Sequence, residues 1–308
     1  MVTCGEVTPN DGSLVLCWGV LSWVIVTMVE EGMVADGEMA CPGGGSASAR
    51  QDGRDRKGAQ VYRCRGGGRH STPLSATPCS GYRCPPDVNA LAVRWYLRDR
   101  LRYADVAELL AERGVRVDAS TVYDGVHAFA PRYEDAARPF RHGVGGSWSV
   151  DETYTQVAGR PASVYRAIDG RGQVVDVYVS RERATEDAAT SFRRAVEATG
   201  VVPDTVATDC AAAYSPALAA VLPEALHETG KAIQQRIERD HQHLQGRSRG
   251  MRGFKTLAGA RVLCRAHAFL RNLRAGCYDR AGATAGSEFR QGPPVACAWA
   301  ALTEALLA

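Results

Sequence analysis

The chain has 308 residues, of which 45% are hydrophobic and 23% charged, so it is long enough for about two domains with buried cores. Its formal net charge of +3 excludes a protein that is strongly basic over its whole surface. The basic residues are instead concentrated locally. Between Arg236 and Arg274 there are ten Arg or Lys residues against two acids, which suits a polyanionic partner but is also common on a merely solvated helix face.

The ten cysteines do not form a recognisable disulfide or zinc pattern. No two of them form a CxxC pair, and the one candidate zinc cluster has a spacing that fits no common finger or ribbon. Its members are Cys64, His70, Cys79 and Cys84. The later cysteines are predicted to be reduced, buried residues of a cytoplasmic protein.

Residues 1–85 are predicted to be a disordered or mis-annotated N-terminal extension. The apolar run 14–29 has sixteen residues, whereas a membrane span needs about 20. The only charged side chains before the run are acidic, namely Glu6 and Asp11, so the segment lacks the basic start of a signal peptide. The Gly- and Arg-rich stretch that follows has a composition typical of linkers. A membrane anchor is the alternative for this segment.

Residues 86–133 are predicted to form a helix-turn-helix DNA-binding domain. Apolar residues recur at helical spacing from Val88 and again from Tyr103, and the second helix is expected to stop at Gly114. Asp118 or Ser120 can cap a third helix that runs to about Phe129. A glycine-containing turn before a third helix is typical of this motif, and a generic three-helix bundle is the alternative. A polar linker is predicted at 134–147.

The pattern then changes to strands. Strands are expected at 149–157, 163–169 and 173–180, followed by a helix at 185–199, a strand at 204–208, a short helix at 212–221, a strand at 225–228 and a long helix from about 232. This order predicts an α/β domain at 148–278 with a ribonuclease-H-like mixed sheet and helices on both faces. Residues 279–308 are predicted to be a weakly ordered tail, with a terminal helix at 296–307 as an option.

Three acids are candidates for one divalent-metal site. Asp151 lies in a strand whose other residues favour burial, where a carboxylate is costly unless a charged group faces it. Asp209 follows a second strand, and Glu238 lies on the long helix beside its apolar stripe. Three carboxylates suit Mg²⁺ or Mn²⁺. The alternative is that Asp209 is a turn residue, Glu238 is solvated and Asp151 pairs with an arginine.

Several motifs resemble one known family in order. They are Trp148-Ser-Val-Asp-Glu-Thr-Tyr154, Tyr165-Arg-Ala-Ile-Asp169, Thr208-Asp209 with Tyr214, Ile237-Glu-Arg-Asp-His241 and Gly253-Phe-Lys255, preceded by Ala92-Val-Arg-Trp-Tyr-Leu97, Leu110-Ala-Glu-Arg-Gly-Val115, Thr121-Val-Tyr123 and Ala130-Pro131. Together they resemble the DDE transposases of bacterial and archaeal insertion sequences, specifically the insertion-sequence-six family. The resemblance covers about 86–276.

The resemblance implies a retroviral-integrase-like core in which Asp151, Asp209 and Glu238 are catalytic and bind Mg²⁺ or Mn²⁺, as two ions. It implies binding to terminal inverted repeats, cleavage at the ends of the element, and strand transfer of a 3′-hydroxyl into target DNA. A homo-oligomer on paired ends, a cytoplasmic, nucleoid-associated location and no membrane partner are expected. DNA contacts are expected at Arg239, His241, Arg247, Arg249, Arg252 and Lys255, and in the third helix at Ser120, Thr121 and Tyr123.

Two departures from the family pattern keep other functions open. Gln245 stands where the family commonly has a basic residue, and Asp124-Gly125 replaces its usual Arg-Trp, where the glycine is expected to weaken the helix. A catalytically decayed or repurposed DNA-binding protein is one alternative. A metal-dependent nuclease on the same fold is the other. Trp148 and Tyr154 are predicted to be core residues.

Overall fold

The computed structural model describes residues 49–55, 59–209, 211–229, 237, 241–242, 244–246, 253–279 and 294–307. The chain divides into two units, Met1–Ala76 and Thr77–Ala308. The apolar run 14–29 lies outside the described residues. Within the described part, no helix has the length and apolarity needed to cross a membrane.

In the first unit, a small antiparallel sheet stands where the sequence predicted disorder. Its strands are β1 (Ala49–Arg54), β2 (Gln60–Cys64) and β3 (His70–Ser71), in that order. Tyr62 and Cys64 of β2 are buried and Arg63 between them is exposed, which is the period of an amphipathic strand. The prediction that this segment lacks ordered structure is therefore wrong for these strands.

The second unit begins with three helices, as predicted. They are α1 (Pro86–Arg98), α2 (Tyr103–Ala111) and α3 (Ala119–Ala137). Val93, Val106 and Val126 contribute one fully buried side chain from each helix. Gly114 has φ +82° in the turn after α2, a conformation that favours glycine. The helices and the turn are thus confirmed, although this pattern is shared by helix-turn-helix domains and generic bundles.

Helix α3 is longer than predicted. It passes the expected end near Phe129, continues to Ala137, and is followed by a 3₁₀ turn at Arg138–Phe140. The buried side chains of Tyr133 and Ala137 extend its apolar stripe at the spacing of one helical face. The segment predicted as a linker at 134–147 therefore begins inside a helix. Its first residue, Glu134, accepts a hydrogen bond of 2.8 Å from Arg265.

Gly125 allows close packing between α1 and α3. A Cβ at this position would lie 3.3 Å from Oδ1 of Asn89, which is a tight contact. The Asn89 side chain is itself held by a 3.0 Å hydrogen bond that its Nδ2 donates to the carbonyl of Cys84. The low intrinsic helix propensity of Gly125 is therefore offset by a packing role, which the sequence alone did not reveal.

The predicted mixed sheet is confirmed. Its five strands are β4 (Ser147–Val157), β5 (Arg160–Asp169), β6 (Val174–Ser180), β7 (Thr205–Thr208) and β8 (Leu226–Thr229), in the spatial order β6-β5-β4-β7-β8. The first three form an antiparallel meander, and β7 and β8 run parallel to β4. β4 is therefore the central strand.

Helices cover both faces of this sheet. On one face, Trp148 and Val150 share a core with Phe192 of α4 (Thr185–Thr199) and Leu218 of α5 (Tyr214–Val221). On the other face lies α6 (Leu257–Arg274), where the Asn272 side chain exchanges two 2.8 Å hydrogen bonds with the backbone of Val174. Alternate residues of β4 therefore point to two different helical layers.

The C-terminal segment ends in an ordered helix, α7 (Pro294–Leu307). Trp299, Leu302 and Leu306 are buried. The Trp299 ring lies 4.8 Å from that of Tyr133 in α3 and 5.9 Å from that of Phe269 in α6, both edge to face. The optional terminal helix is thus confirmed, and the prediction of a weakly ordered tail is wrong for 294–307, because these apolar side chains find partners on distant helices.

Candidate active site

The two predicted aspartates follow neighbouring parallel strands. The register of β4 and β7 ends with Val150 opposite Thr208, so Asp151 and Asp209 are the next residues on the two strands. Neighbouring strands lie about 4.8 Å apart. β4 continues to Val157 along β5, whereas β7 ends at Thr208. We call the edge of β4 from Asp151 to Val157, beyond the end of β7, the notch.

Asp151 is a buried carboxylate with two ionisable residues on its side of the sheet. Its Oδ1 accepts a 2.8 Å hydrogen bond from the backbone N–H of Glu152, and its Oδ2 lies 3.7 Å from Nδ1 of His241. Arg166, its register partner on β5, is fully buried and lies on the same face of the sheet. These groups explain how a strand that is otherwise suited to the core tolerates a carboxylate.

Asp209 is held by a tight local turn. Its Oδ1 accepts a 3.1 Å hydrogen bond from the backbone N–H of Ala211, an arrangement that aspartate commonly forms in turns. The Thr208 hydroxyl donates to the carbonyl of Asp209 at 2.8 Å and lies 2.8 Å from Nε2 of His227 on β8. The backbone that presents Asp209 to the notch is thus tied to the neighbouring strand.

Tyr214 is a buried phenol that both aspartates influence electrostatically. It is the first residue of α5, and its hydroxyl has no hydrogen-bond partner among the described residues. Burial raises its pKa first, and the carboxylates of Asp151 and then Asp209 raise it further. The electrostatic effect of both carboxylates on one hydroxyl supports their proximity, as the strand register indicates.

Residues near 245 and 254 pack along the notch beyond Asp209. Nε2 of Gln245 donates a 2.9 Å hydrogen bond to the hydroxyl of Thr153. Phe254 exchanges two 2.7 Å backbone hydrogen bonds with the end of β4, donating to Gln156 and accepting from Ala158. Gly253 is required for this approach, because its φ is +86° and a Cβ would lie 2.7 Å from the carbonyl oxygen of Gln156.

Several predicted site residues lie outside the described part of the chain. They are Glu238, Arg239, Arg247, Arg249 and Arg252. Ile237, His241 and Leu244 are helical and buried. Among the residues that the structure describes, no three His, Cys, Asp or Glu side chains are grouped to hold a metal ion, and this includes the cysteines considered for zinc. The third predicted ligand of the acidic site is not among those residues.

The described candidates for DNA contact differ in exposure. His241 is 3% exposed and lies against Asp151, a position that does not suit a phosphate contact, whereas Lys255 is exposed. In α3, Ser120 and Tyr123 are exposed and Thr121 is half-buried. The Tyr123 ring packs 4.0 Å from His127 and 5.3 Å from Tyr103. Burial also lowers the pKa of His127.

An arginine that the sequence analysis did not select lies beside the notch. Nε of Arg183 contacts Oε2 of Glu152 at 2.7 Å, and its guanidinium carbon lies 5.7 Å from the ring centroid of Tyr154. Tyr154 is 53% exposed, which contradicts its prediction as a core residue, whereas Trp148 is fully buried as predicted. The available sequence signal was weak, being two arginines in the loop before α4.

Comparisons with known proteins agree on one family. Residues 145–277 match the family DDE_Tnp_IS240, described as a DDE domain. The chain is 36% identical over 166 residues to the Staphylococcus aureus transposase for insertion sequence-like element IS431mec, which covers 52% of this chain and 74% of that protein. It is 35% identical over 166 residues, with the same coverage, to the S. aureus transposase for insertion sequence element IS257 in transposon Tn4003.

Solved structures give a weaker likeness. The HTLV-2 integrase catalytic core domain in complex with magnesium is 17% identical, with a TM-score of 0.28, over 34% of this chain and 70% of that one.

Proposed function

Because this chain belongs to the DDE transposases of insertion sequences, we propose that it binds the terminal inverted repeats of its element, cleaves the DNA at those ends and transfers the 3′-hydroxyl ends into target DNA. The membership confirms the resemblance that the motifs indicated. The observation that carries the detailed proposal is the register of β4 and β7, which presents Asp151 and Asp209 side by side at the notch.

The chemistry of the donor set fits divalent metal ions. Asp151 and Asp209 offer hard carboxylate oxygens, which suit Mg²⁺ or Mn²⁺. We propose that Glu238 is the third ligand and that the site binds two ions. Two bound ions of this kind supply an activated attacking oxygen and a stabilised leaving oxygen in phosphodiester displacement.

The described neighbours of Glu238 support this role. Ile237 and His241 are both helical and buried, and His241 faces Asp151. Residues three positions apart share one face of a helix, so a carboxylate three positions before His241 would lie on the side that faces Asp151. His241 then serves as a positioning residue on that helix rather than as a DNA contact.

The remaining residues have roles in holding the protein and the DNA in place. Gln245 fixes its helical turn against Thr153, two residues from Asp151. We propose phosphate contacts by Lys255 and by four arginines of the basic stretch, and base or phosphate contacts at the start of α3 by Ser120, Thr121 and Tyr123. The four arginines are Arg239, Arg247, Arg249 and Arg252. Binding should weaken with salt, since each neutralised duplex phosphate contributes about −0.9 to the slope of the logarithm of the binding constant against the logarithm of the salt concentration.

Concerted transfer requires two ends in one complex, so we propose a homo-oligomer on paired ends at the nucleoid. A single protomer on paired-end DNA, measured by light scattering after size exclusion, would contradict this part.

A strand-transfer assay tests the proposal. Purified protein is incubated with a labelled duplex copied from the repeats that flank its reading frame, with target plasmid and Mn²⁺. The expected product is target plasmid to which the labelled strand has been joined. Asp151→Ala and Asp209→Ala should abolish this product. Asp204→Ala, which changes an aspartate one residue before β7, is the control and should retain it. Cleavage without joining would instead support a metal-dependent nuclease. Binding without any chemistry would support a repurposed DNA-binding protein.

A further inference from the structure

Tyr154 and Arg183 form an exposed surface next to the notch, which we call the platform. Tyr154 lies on β4 three residues after Asp151, and 53% of it is exposed. Single exposed apolar side chains are normal on proteins, so exposure alone does not mark a site. What distinguishes Tyr154 is that a guanidinium lies over its ring, with the Arg183 carbon 5.7 Å from the ring centroid.

The buried carboxylate of Glu152 holds the Arg183 guanidinium in place. Its Nε donates to Oε2 of Glu152 at 2.7 Å, and the Glu152 side chain is only 6% exposed. The other oxygen of Glu152 accepts a 2.5 Å hydrogen bond from the hydroxyl of Ser163 on β5. Half of the Arg183 side chain nevertheless remains exposed. A charged group whose position is already restrained by Glu152 is therefore presented to solvent.

The platform also lies close to the acidic site. Glu152 directly follows Asp151 on β4 and points to the opposite face of the sheet. Glu152 raises the pKa of Arg183 most, and Asp209 contributes in the same direction, which supports the proximity of the guanidinium to the carboxylate at the notch. Tyr154 shares the face of Glu152, and both residues lie on the part of β4 beyond its pairing with β7. A DNA strand that crosses this edge of the sheet to reach the notch would meet the exposed faces of Tyr154 and Arg183.

We propose that the platform binds an unpaired nucleotide of the DNA strand at the active site, with the base stacked on Tyr154 and a phosphate paired with Arg183. This inference rests on the proposed function, because it names the form of DNA that the same site accepts. Aromatic rings stack with any base whose face is free, and arginine adds charge-assisted contacts to phosphate. A base inside a duplex is stacked on both faces, so the platform selects frayed or single-stranded ends.

The first test measures binding without catalysis. Full-length protein is titrated, in EDTA, into a blunt duplex and into the same duplex with three unpaired nucleotides that carry 2-aminopurine. Wild type is expected to prefer the unpaired end and to quench the probe. Tyr154→Ala should lose about 5-fold or more in affinity for the unpaired end, whereas Tyr154→Phe should retain it. Val202→Ala, an exposed apolar residue at the other end of α4, is the matched control.

The second test addresses the phosphate. For binding to the unpaired end, the slope of log binding constant against log salt concentration should be about 0.7 shallower in Arg183→Gln than in wild type. This is the contribution of one single-strand phosphate. Arg193→Gln is the control, because Arg193 is similarly exposed and also pairs with a glutamate, Glu186, at 2.5 Å. Equal salt slopes for the two variants would overturn the phosphate contact.

The platform and the proposed function fail separately. If wild type joins DNA strands while Tyr154→Ala keeps full preference and quenching for the unpaired end, the platform is wrong and the function stands. If Asp151→Ala still joins strands, or wild type joins none, the function fails whatever the EDTA titrations show. Thermal melts equal to wild type are expected for Tyr154→Ala, because its ring is largely exposed.

Discussion

The Gln245 side chain donates a 2.9 Å hydrogen bond to the hydroxyl of Thr153, a buried residue on the strand that carries Asp151. Related transposases are expected to have a basic residue at the position of Gln245. Here that position holds its helical turn against the notch, so the departure from the family pattern has a structural role. It is therefore weak support for a decayed enzyme.

Gln245→Ala should lower the free energy of unfolding by about 1 kcal/mol, the usual contribution of one such hydrogen bond. The rate of strand transfer should fall more than the affinity for DNA, because the hydrogen bond joins the helical turn of Gln245 to the strand that carries Asp151. Gln245→Lys retains a hydrogen-bond donor and adds a positive charge. It should therefore steepen the slope of log DNA-binding constant against log salt concentration by about 0.9. Gln242 is helical and exposed, so Gln242→Ala is the control. Both variants are compared by urea denaturation and in the strand-transfer assay.

Tyr214→Phe should leave the free energy of unfolding within about 0.5 kcal/mol of wild type, since its hydroxyl has no hydrogen-bond partner among the described residues. Tyr214→Ala should cost about 3–5 kcal/mol, because it opens a cavity against Phe192. Urea denaturation measures both. A loss above about 1 kcal/mol for the phenylalanine variant would show that the hydroxyl is bonded in solution.

Arg166→Met should lower the free energy of unfolding, because it removes the fully buried cation that lies opposite the Asp151 carboxylate on the same face of the sheet. The Asp151→Ala/Arg166→Met double variant should recover a large part of that loss. A double-mutant cycle in urea measures the coupling. Strictly additive losses would mean that the two side chains do not interact.

Trp299→Ala should cost about 3–5 kcal/mol of stability, because the indole packs against Tyr133 and Phe269. Glu304→Ala, an exposed change in the same helix, should stay within about 0.5 kcal/mol of wild type. Thermal denaturation compares the two variants. Equal melting temperatures would contradict the docking of α7 on the core.

Stability should fall at alkaline pH through Tyr133. Burial raises its pKa to about 12, whereas the pKa of a tyrosine in the unfolded chain is about 10. The folded state therefore binds this proton more tightly. Its contribution is complete below about pH 10, declines between about 10 and 12, and levels off above that range. Urea melts from pH 9 to 12 should show a smaller decline in Tyr133→Phe than in wild type.

Much of the fold could be predicted because its signals are local. The bounds of α4 at Thr185–Thr199 match the prediction, since amphipathic spacing and the flanking glycine specify them within one segment. The meander from β4 to β6 and the neighbouring positions of Asp151 and Asp209 also followed from strand patterns, because strands of this length bury alternate residues and therefore accept one register.

Only the tertiary structure decided features that depend on contacts between distant segments. Tyr133 and Trp299 each have an ordinary apolar environment in the sequence, yet their contact extends α3 and orders α7. The platform has the same origin. Tyr154 reads as a strand residue for the core, and Arg183 as a loop residue, until β5 and β6 bring the loop back to β4 and Glu152 fixes the arginine there. The sequence by itself determined which acids could act, through residue type and strand period. Three-dimensional packing determined which surface lies beside them, because a side chain is exposed or buried according to neighbours that the local pattern does not specify.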